Sequence, residues 1–414
     1  MNVSESFTHR PVPAETSVCV MGLGYIGLPT ASVLATKGFR VTGVDVRPEV
    51  VDTINRGEIH IEEPDLDILV RSAVNSGQLV AAESPQAADV FMICVPTPIR
   101  DDRTPDLTYI REACQAIQPN VVKGNLVILE STSPPRTTEE IVAATAFSPE
   151  FEIGKDVFVA HCPERVLPGR ILLEVVQNDR VVGGMTPECA QRAKQFYESY
   201  VSGEVFATSA LVAEVTKLAE NSYRDVNIAF ANELSMLAED LNIDPWDVIE
   251  LANRHPRVQI LSPGPGVGGH CISVDPWFLV HAQPERTQLI RTAREVNLYK
   301  PQFVVRHVME LAKQFETPKL GCLGLAYKAD VDDIRESPAL DIVRGLVREG
   351  VGDVMVCDPY VRPEQFDELP LSSLTDVLEA CPLILLLTDH RQFRDIPRRV
   401  LQEKVVVDTR GLYR

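Results

Sequence analysis

Long apolar runs are missing from this chain of 414 residues. The longest are short, such as LILLL at 383–387, against the ~20 residues needed to span a bilayer. A membrane-spanning protein is therefore excluded from the expectations. Paired cysteine motifs are missing too. The nine cysteines are scattered and none stands in a CxxC pair. That argues against a zinc ribbon or a disulfide framework and fits a reduced, cytoplasmic protein with mostly buried thiols. Positive charge is scarce: 40 Lys and Arg face 59 Asp and Glu, a formal charge of −19. So acidic a surface disfavours nucleic acid and anionic membranes as partners. An anionic ligand would need cations gathered locally. The opening MNVSESFTHRPVPAE has neither the apolar stretch nor the cleavage pattern of a signal peptide and reads as a loose tail.

Otherwise the composition is that of a globular protein, 45% apolar and 24% charged. The length suits two or three domains of ~150 residues. TSVCVMGLG reads as a buried strand entering a glycine turn, YIGLPTASVLATKG as a helix stopped by Gly38, and FRVTGVDV as a second strand. Further strands are expected at 89–96, 125–132 and 156–164. Strands alternating with helices imply a parallel sheet covered on both faces. From about residue 209 more than thirty residues pass without Gly or Pro. Leu211, Val215, Leu218, Phe230, Leu234, Leu237 and Leu241 recur there at helical spacing, which predicts one long, domain-spanning or dimer-forming helix. Asp244 before Pro245 starts another helix. A second β–α–β series begins near Lys319, with a helix capped by Ser337 and ended by Gly350. The fold class expected is α/β: two Rossmann-like parallel-sheet domains joined by a central helical domain. The boundaries are 1–205, 206–300 and 301–414.

Gly22, Gly24 and Gly27 form GLGYIG between strand and helix. The first glycine permits the tight turn, the second lets backbone approach a pyrophosphate, and the third allows close helix–strand packing. Asp45 follows at the end of the second strand, where a carboxylate accepts from ribose hydroxyls and repels a 2′-phosphate. The expected cofactor is NAD, although Arg47 stands nearby. In GPGVGGHCISVDPWF, glycines bare the backbone around Gly268 and beside Cys271, with His270 adjacent. A cysteine so placed is a candidate nucleophile; a buried structural thiol is the plainer alternative. Lys217, Asn221 and Arg224 share one face of the long helix, fit for proton transfer or for simple solvation. Arg254, His255 and Arg257 crowd five residues, and Lys328, Arg335 and Arg410 flank the second α/β series, as an anion would require. The acidic run DVDDIRE lacks the spacing of a calcium loop, and HCPE has no second pair for zinc, so no metal is expected.

Taken together, GLGYIGLP, CVPTP, ESTSPP, CPERVLPGR, KLAENSYRDVNIAFANE, GPGVGGHC, YKADVDDIRESPA and DTRG resemble, in kind and order, the UDP-glucose/GDP-mannose dehydrogenase family. The resemblance spans about residues 16–414. The wording around CPERVLPGR, SYRDVNIAFANELS and ANRHPRVQI is most similar to members acting on UDP-N-acetyl-D-mannosamine. It implies a four-electron oxidation of the sugar C6 alcohol to a uronate for surface polysaccharide, with two NAD⁺ used in turn and Cys271 carrying a thiohemiacetal and then a thioester. It further implies that Lys217 and Asn221 assist at the reacting oxygen, that Thr132 holds a water, that Glu164 belongs to the substrate loop, and that Asp275 lies behind the cysteine. Tyr25, Ile26, Asp45, Thr97 and Thr138 fall at cofactor positions. Arg165, Val166, Arg224 and Gly268 fall on the sugar-nucleotide side. His255 and Arg257 match a segment reaching a partner subunit, in a homodimer built on the long helix. Lys328, Arg335 and Arg410 match the grip on a UDP-sugar. One departure stands out: Pro168 occupies the place of a second glutamate found in UDP-glucose dehydrogenases, which argues against UDP-glucose. Related sugar nucleotides, a two-electron hydroxyacid dehydrogenase and a nonenzymatic nucleotide-sugar sensor remain as alternatives.

Overall fold

The computed structural model describes residues 12–167, 169–269 and 271–414; Pro168 and His270 lie outside the described residues. The chain forms two compact units, Met1–Ala219 and Glu220–Arg414.

The first unit holds strands β1 (Ser17–Met21), β2 (Arg40–Val44), β3 (Leu79–Ala82), β4 (Val90–Ile93), β5 (Leu126–Leu129), β6 (Phe158–His161), β7 (Arg180–Gly184) and β8 (Val205–Ser209). They make one sheet in the order β3-β2-β1-β4-β5-β6-β7-β8. Period-two side chains explain why the strands read as unbroken apolar runs. Val18 and Val20 of β1 enter one core, Cys19 and Met21 the other; Leu126 and Ile128 divide from Val127 and Leu129 in the same way. Both faces are buried. The strand order reverses at β1/β4, which opens a crevice beyond their carboxyl ends.

One pair departs from the expected parallel sheet: β6 and β7 run antiparallel, with Ala160 opposite Gly184 and His161 opposite Gly183. The CPERVLPGR loop and the short helix Ile171–Gln177 join them at one end of the sheet, so the chain re-enters without the full-length return that a parallel crossover demands. Strands β3, β7 and β8 add to those foreseen.

The helix Ala210–Asp240 is the long one expected, 31 residues and about 46 Å at 1.5 Å per residue. The division between the units falls inside it. Of its apolar positions Leu218 is buried, but Phe230 and Leu237 are each 52% exposed and Leu241, just past its end, 59%. Asp244 caps the helix Pro245–Ala252 by accepting from the Trp246 N–H.

The second unit contains a four-stranded parallel sheet, β9 (Lys319–Leu323), β10 (Asp353–Cys357), β11 (Leu383–Leu386) and β12 (Val405–Asp408), ordered β10-β9-β11-β12. This repeats the order β2-β1-β4-β5 of the first. Gly350 ends the helix Pro338–Glu349 in the left-handed region, φ 72°. Ser337 does precede that helix, yet its hydroxyl makes no capping bond. It donates instead to the Leu325 carbonyl at 2.6 Å, tying the helix start to the turn after β9.

Candidate active site

In the first unit the glycine turn is dictated by contact. Gly22 has φ +91° and donates its N–H to the Val44 carbonyl at 2.7 Å. A Cβ there would come within 2.8 Å of the Cys94 carbonyl, and one at Gly27 within 1.8 Å of the Gly22 carbonyl. Gly24 faces open space, with nothing within 4 Å of where its Cβ would stand. The turn therefore leaves an uncovered backbone at the start of the helix Gly27–Thr36, a cradle of the kind a pyrophosphate occupies. Tyr25 is exposed beside it and Ile26 half-buried.

Asp45 is buried and accepts the Leu23 N–H at 3.2 Å. Arg47 grips it through its backbone N–H at 3.1 Å, Nε at 3.0 Å and Nη2 at 3.3 Å. Burial raises the Asp45 carboxyl, but the hydrogen bonds from Arg47 and Leu23 outweigh it and hold the group below the usual carboxylate range. The carboxylate lies where ribose hydroxyls are expected, with an arginine already on it.

Thr97 donates to the Thr132 carbonyl at 2.5 Å, and both residues are half-buried. Thr138 differs from a surface contact residue. It is fully buried and its hydroxyl is given to Glu214 at 2.6 Å, a carboxylate that also accepts the N–H groups of Thr138 and Arg136. Glu164 is likewise buried. One oxygen accepts from Arg180 at 2.7 Å and the other from the Arg165 N–H at 2.6 Å. Arg165 reaches the Asp179 carbonyl, and Val166 packs against the core. Glu63 holds the far end of this loop, accepting from Gly169 and Ile171 N–H groups at 2.8 Å each. Under the loop Glu130 accepts from the Tyr197 hydroxyl at 2.6 Å and the Cys94 thiol at 3.2 Å. Burial first, then the neighbouring Glu164 charge, pushes the Glu130 carboxyl up to about 7.

In the second unit Cys271 is exposed, unlike the buried Cys19, Cys114, Cys162, Cys189, Cys322, Cys357 and Cys381. Its carbonyl accepts the N–H groups of Val274 and Asp275, which begins the helix Asp275–Ala282. Asp275 is buried and accepts from the Asn221 amide at 2.5 Å. Asn221 and Asp275 thus form a polar pair one turn from the thiol-bearing residue. The glycine run is a packing requirement: a Cβ on Gly268 would meet the Glu336 carbonyl at 2.5 Å, and one on Gly269 the Tyr327 ring at 2.8 Å. A buried network fixes the run's start. Arg294 donates to Asp225 at 2.6 Å, Asn297 to Asp225 at 2.8 Å, Asn232 to Asn297 at 2.9 Å, and Gly264 N–H to Asn232 at 2.8 Å. Arg410 lies against Gly264 and is held by Asp389 at 2.9 Å. Lys328 and Arg335 are exposed on the loop after β9, Arg335 paired with Asp333 at 2.8 Å. The acidic run is thus engaged with its own cations: Asp330 accepts from Arg391 at 3.1 Å. Among the described residues no cluster of His, Cys, Asp and Glu is arranged to hold a metal, and no helix is long and apolar enough to cross a membrane.

The structure therefore joins Cys271, Asn221, Asp275, Gly268 and Arg410 into one scaffold. Lys217 is half-buried on the first-unit part of the long helix. Arg224, His255 and Arg257 are exposed. Glu63, Glu130, Arg180 and Glu214 went unremarked in the sequence. Two carried a signal: Glu130 ends an otherwise apolar strand, and Arg180 begins one. A charge in such a run needs a buried partner.

Family models match along the chain in order. The NAD-binding domain of the UDP-glucose/GDP-mannose dehydrogenase family matches residues 16–201, its central domain 211–299 and its UDP-binding domain 321–414. An NDP-N-acetyl-D-galactosaminuronic acid dehydrogenase of Ralstonia solanacearum is 51% identical over 406 residues, 96% of each chain. A UDP-N-acetyl-D-mannosamine dehydrogenase of Campylobacter jejuni is 50% identical over 392 residues, 92% of this chain and 96% of that one. Among solved structures, the UDP-N-acetyl-mannosamine dehydrogenase Cap5O from S. aureus superposes with a TM-score of 0.88 at 43% identity, covering 96% of this chain and 95% of that one. Glycine turn, exposed cysteine and matched domains agree, and the chain belongs to the UDP-glucose/GDP-mannose dehydrogenase family.

Proposed function

We propose that this protein oxidises the C6 alcohol of UDP-N-acetyl-D-mannosamine to the uronate, with two NAD⁺ per sugar. The carrying observation is the exposed Cys271, anchored through its own carbonyl to Asp275, which the Asn221 amide holds. Roles follow the three segments: 1–205 for NAD⁺, 206–300 for chemistry and dimerisation, 301–414 for the UDP-sugar.

The glycine turn Gly22–Gly27 fits a pyrophosphate because its second glycine faces open space, and Asp45 is the ribose acceptor once Arg47 turns aside. Tyr25, Ile26 and Thr97 border the cofactor, whose contribution when bound is to accept hydride from the sugar carbon. Thr138 acts from beneath, by fixing Glu214. Lys217 takes the C6 hydroxyl proton and then faces the oxyanion, with Asn221 as the second donor. The Cys271 thiolate adds to the aldehyde carbon, forming an S–C bond, and the carbonyl oxygen gains a proton. Loss of the remaining C6 hydride, with the hydroxyl proton passing to Lys217, leaves a thioester. Water then breaks the S–C bond, releasing carboxylate and thiol. Two hydrides leave one carbon, which accounts for four electrons. Glu164 is held by Arg180 and the Arg165 N–H, and the hydrolytic water is assigned to Lys217 and Thr132. Arg165, Val166, Arg224, Gly268, Lys328, Arg335 and Arg410 hold the sugar nucleotide. His255 and Arg257 serve a partner's site in a homodimer. The product is an activated uronate, the kind of donor that polysaccharide assembly consumes.

A panel of UDP-N-acetylmannosamine, UDP-N-acetylgalactosamine, UDP-N-acetylglucosamine, UDP-glucose and GDP-mannose tests this, with NADH counted per sugar. Two NADH with the first substrate is the expected result; one NADH per turnover, or no preference for it, overturns the reading. The galactosamine arm carries a second reading, favoured by the 51% identical relative from Ralstonia solanacearum. Cys271→Ser should abolish uronate formation while leaving NAD⁺ and UDP-sugar binding within about threefold; uronate at the parental rate would exclude the covalent role.

A further inference from the structure

The second unit repeats the opening of the first, then departs from it at one carboxylate. Gly324 has φ +98° and donates to the Cys357 carbonyl at 2.9 Å, as Gly22 does to Val44. Asp358 follows β10 and accepts the Leu325 N–H at 2.7 Å, as Asp45 accepts Leu23. Asp45 keeps a removable side chain on it. Asp358 is filled: one oxygen takes Leu325, Ala326 at 3.1 Å and His390 Nε2 at 3.1 Å, the other the N–H groups of Tyr360 at 2.9 Å and Val361 at 3.1 Å. Burial raises this carboxyl, and the His390 and backbone donors more than offset it, leaving it lowered. It is an internal fastening point, with no valence left for a ribose.

His390 is fully buried, and its other nitrogen, Nδ1, receives the backbone N–H of Asp330 at 2.9 Å. A backbone N–H only donates, so Nδ1 bears the lone pair and Nε2 bears the proton given to Asp358. Asp330 sits at φ +60°, in the left-handed region that Asp enters more readily than most side chains. Its carboxylate is held from above by the Tyr360 hydroxyl at 3.1 Å and by Arg391 N–H and Nε at 2.9 and 3.1 Å. The segment between Tyr327 and Arg335 turns over this point, closed by Tyr327 N–H on the Asp333 carbonyl at 3.1 Å. Lys328 and Arg335 ride on that segment, and Tyr327 also backs Gly269.

We propose that His390 is a positioning residue for sugar-nucleotide binding, a peg that fastens the Lys328–Arg335 loop to Asp358 and so presents its two cations to the diphosphate. This rests on the reading that Lys328 and Arg335 grip the UDP group. A neutral, doubly bonded imidazole is the side chain that meets both demands, an acceptor toward Asp330 and a donor toward Asp358. Leucine of similar size meets neither. Asparagine supplies the acceptor toward Asp330 alone.

The test is UDP binding by calorimetry, with KM for the UDP-sugar and Kd for NAD⁺ measured alongside, on the full chain. His390→Leu should weaken UDP and raise the UDP-sugar KM by about tenfold, with NAD⁺ affinity unchanged and His390→Asn recovering only the part that rests on the Asp330 contact. UDP affinity within twofold of the parent in His390→Leu overturns the peg, as does an equal loss for NAD⁺. Should His390→Leu not fold, nitrogen NMR of the parent decides: a neutral Nε2–H ring supports the peg, and an Nδ1–H or doubly protonated ring overturns it. Lys328→Ala and Arg335→Ala separate the premise. If both bind UDP at parental strength, the reading beneath the proposal falls. If they weaken UDP while His390→Leu does not, only the peg falls.

Discussion

A methyl group at Gly27 would stand 1.8 Å from the Gly22 carbonyl, well inside contact distance. Relief requires the turn to open, which moves the backbone a pyrophosphate must approach. Gly27→Ala is therefore expected to weaken NAD⁺ at least tenfold while leaving UDP affinity unchanged, and titration of each ligand separately checks it. Asp45→Ala tests the neighbouring assignment more gently. It frees Arg47 as it removes the ribose acceptor, so NAD⁺ should weaken about tenfold and NADP⁺ should gain relative to it; an unchanged ratio of the two affinities would remove Asp45 from the ribose.

Much at this scale was legible beforehand. Gly22, Gly24, Gly27, Asp45 and Cys271 stand in local patterns whose chemistry needs no distant partner to be seen. Arg180 over Glu164 and His390 over Asp358 were not legible. Each is a pairing between strand ends or loops brought together by tertiary structure, and a single charged residue in a sequence does not say which other residue it faces.

Among elements, the loop between β6 and β7 is the most instructive. It carries Glu164, Arg165 and Val166, and it is clamped at both ends, by Arg180 on Glu164 and by Glu63 on Gly169 and Ile171. Glu63→Gln keeps one acceptor and turns an amide N–H toward a backbone N–H. Such a mismatch costs about 1–3 kcal/mol. The expected outcome is a lower urea midpoint and a raised UDP-sugar KM, with NAD⁺ affinity unchanged. A KM that stays at the parental value would mean that the loop's shape does not matter to the sugar.

Glu130, beneath the same loop, gives a pH signature. Its carboxyl holds a proton up to about 7 when folded and loses it near 4.5 when unfolded. Between those values the folded chain binds more protons, so this group's contribution to stability falls as pH rises from about 4.5 to about 7 and stays low above it. Glu130→Gln keeps the Tyr197 bond without the charge and should flatten that slope and stabilise the protein at pH above 7. Urea midpoints at both ends of the window check it; a slope unchanged in the variant would assign it to other groups. Most strands were visible as apolar runs, yet the reversal of β7 was not. Periodicity reports which faces are buried, and β7 is covered on both faces like its neighbours whichever way it runs.

For the whole molecule, charge and apolar surface pull in opposite directions. Tyr223, Phe230, Leu234, Leu237 and Leu241 recur along the long helix at spacings of seven, four, three and four residues, a seam of the kind that pairs helices. Within the chain Tyr223, Phe230, Leu237 and Leu241 are exposed, so the seam is an interface lacking its other half if the proposed homodimer holds. Two chains of −19 each also repel. That repulsion reaches about 30 Å at 0.01 M salt and about 8 Å at 0.15 M, whereas apolar burial gains little from dilution of salt. Dimerisation should therefore tighten as salt rises from low ionic strength, the reverse of an association held by opposite charges. Phe230→Glu with Leu237→Glu should give monomers at every salt concentration by sedimentation, since each buries a charge in the seam. If His255 and Arg257 serve a partner's site, those monomers lose uronate formation yet still bind NAD⁺. Monomers with parental activity would confine every catalytic group to a single chain.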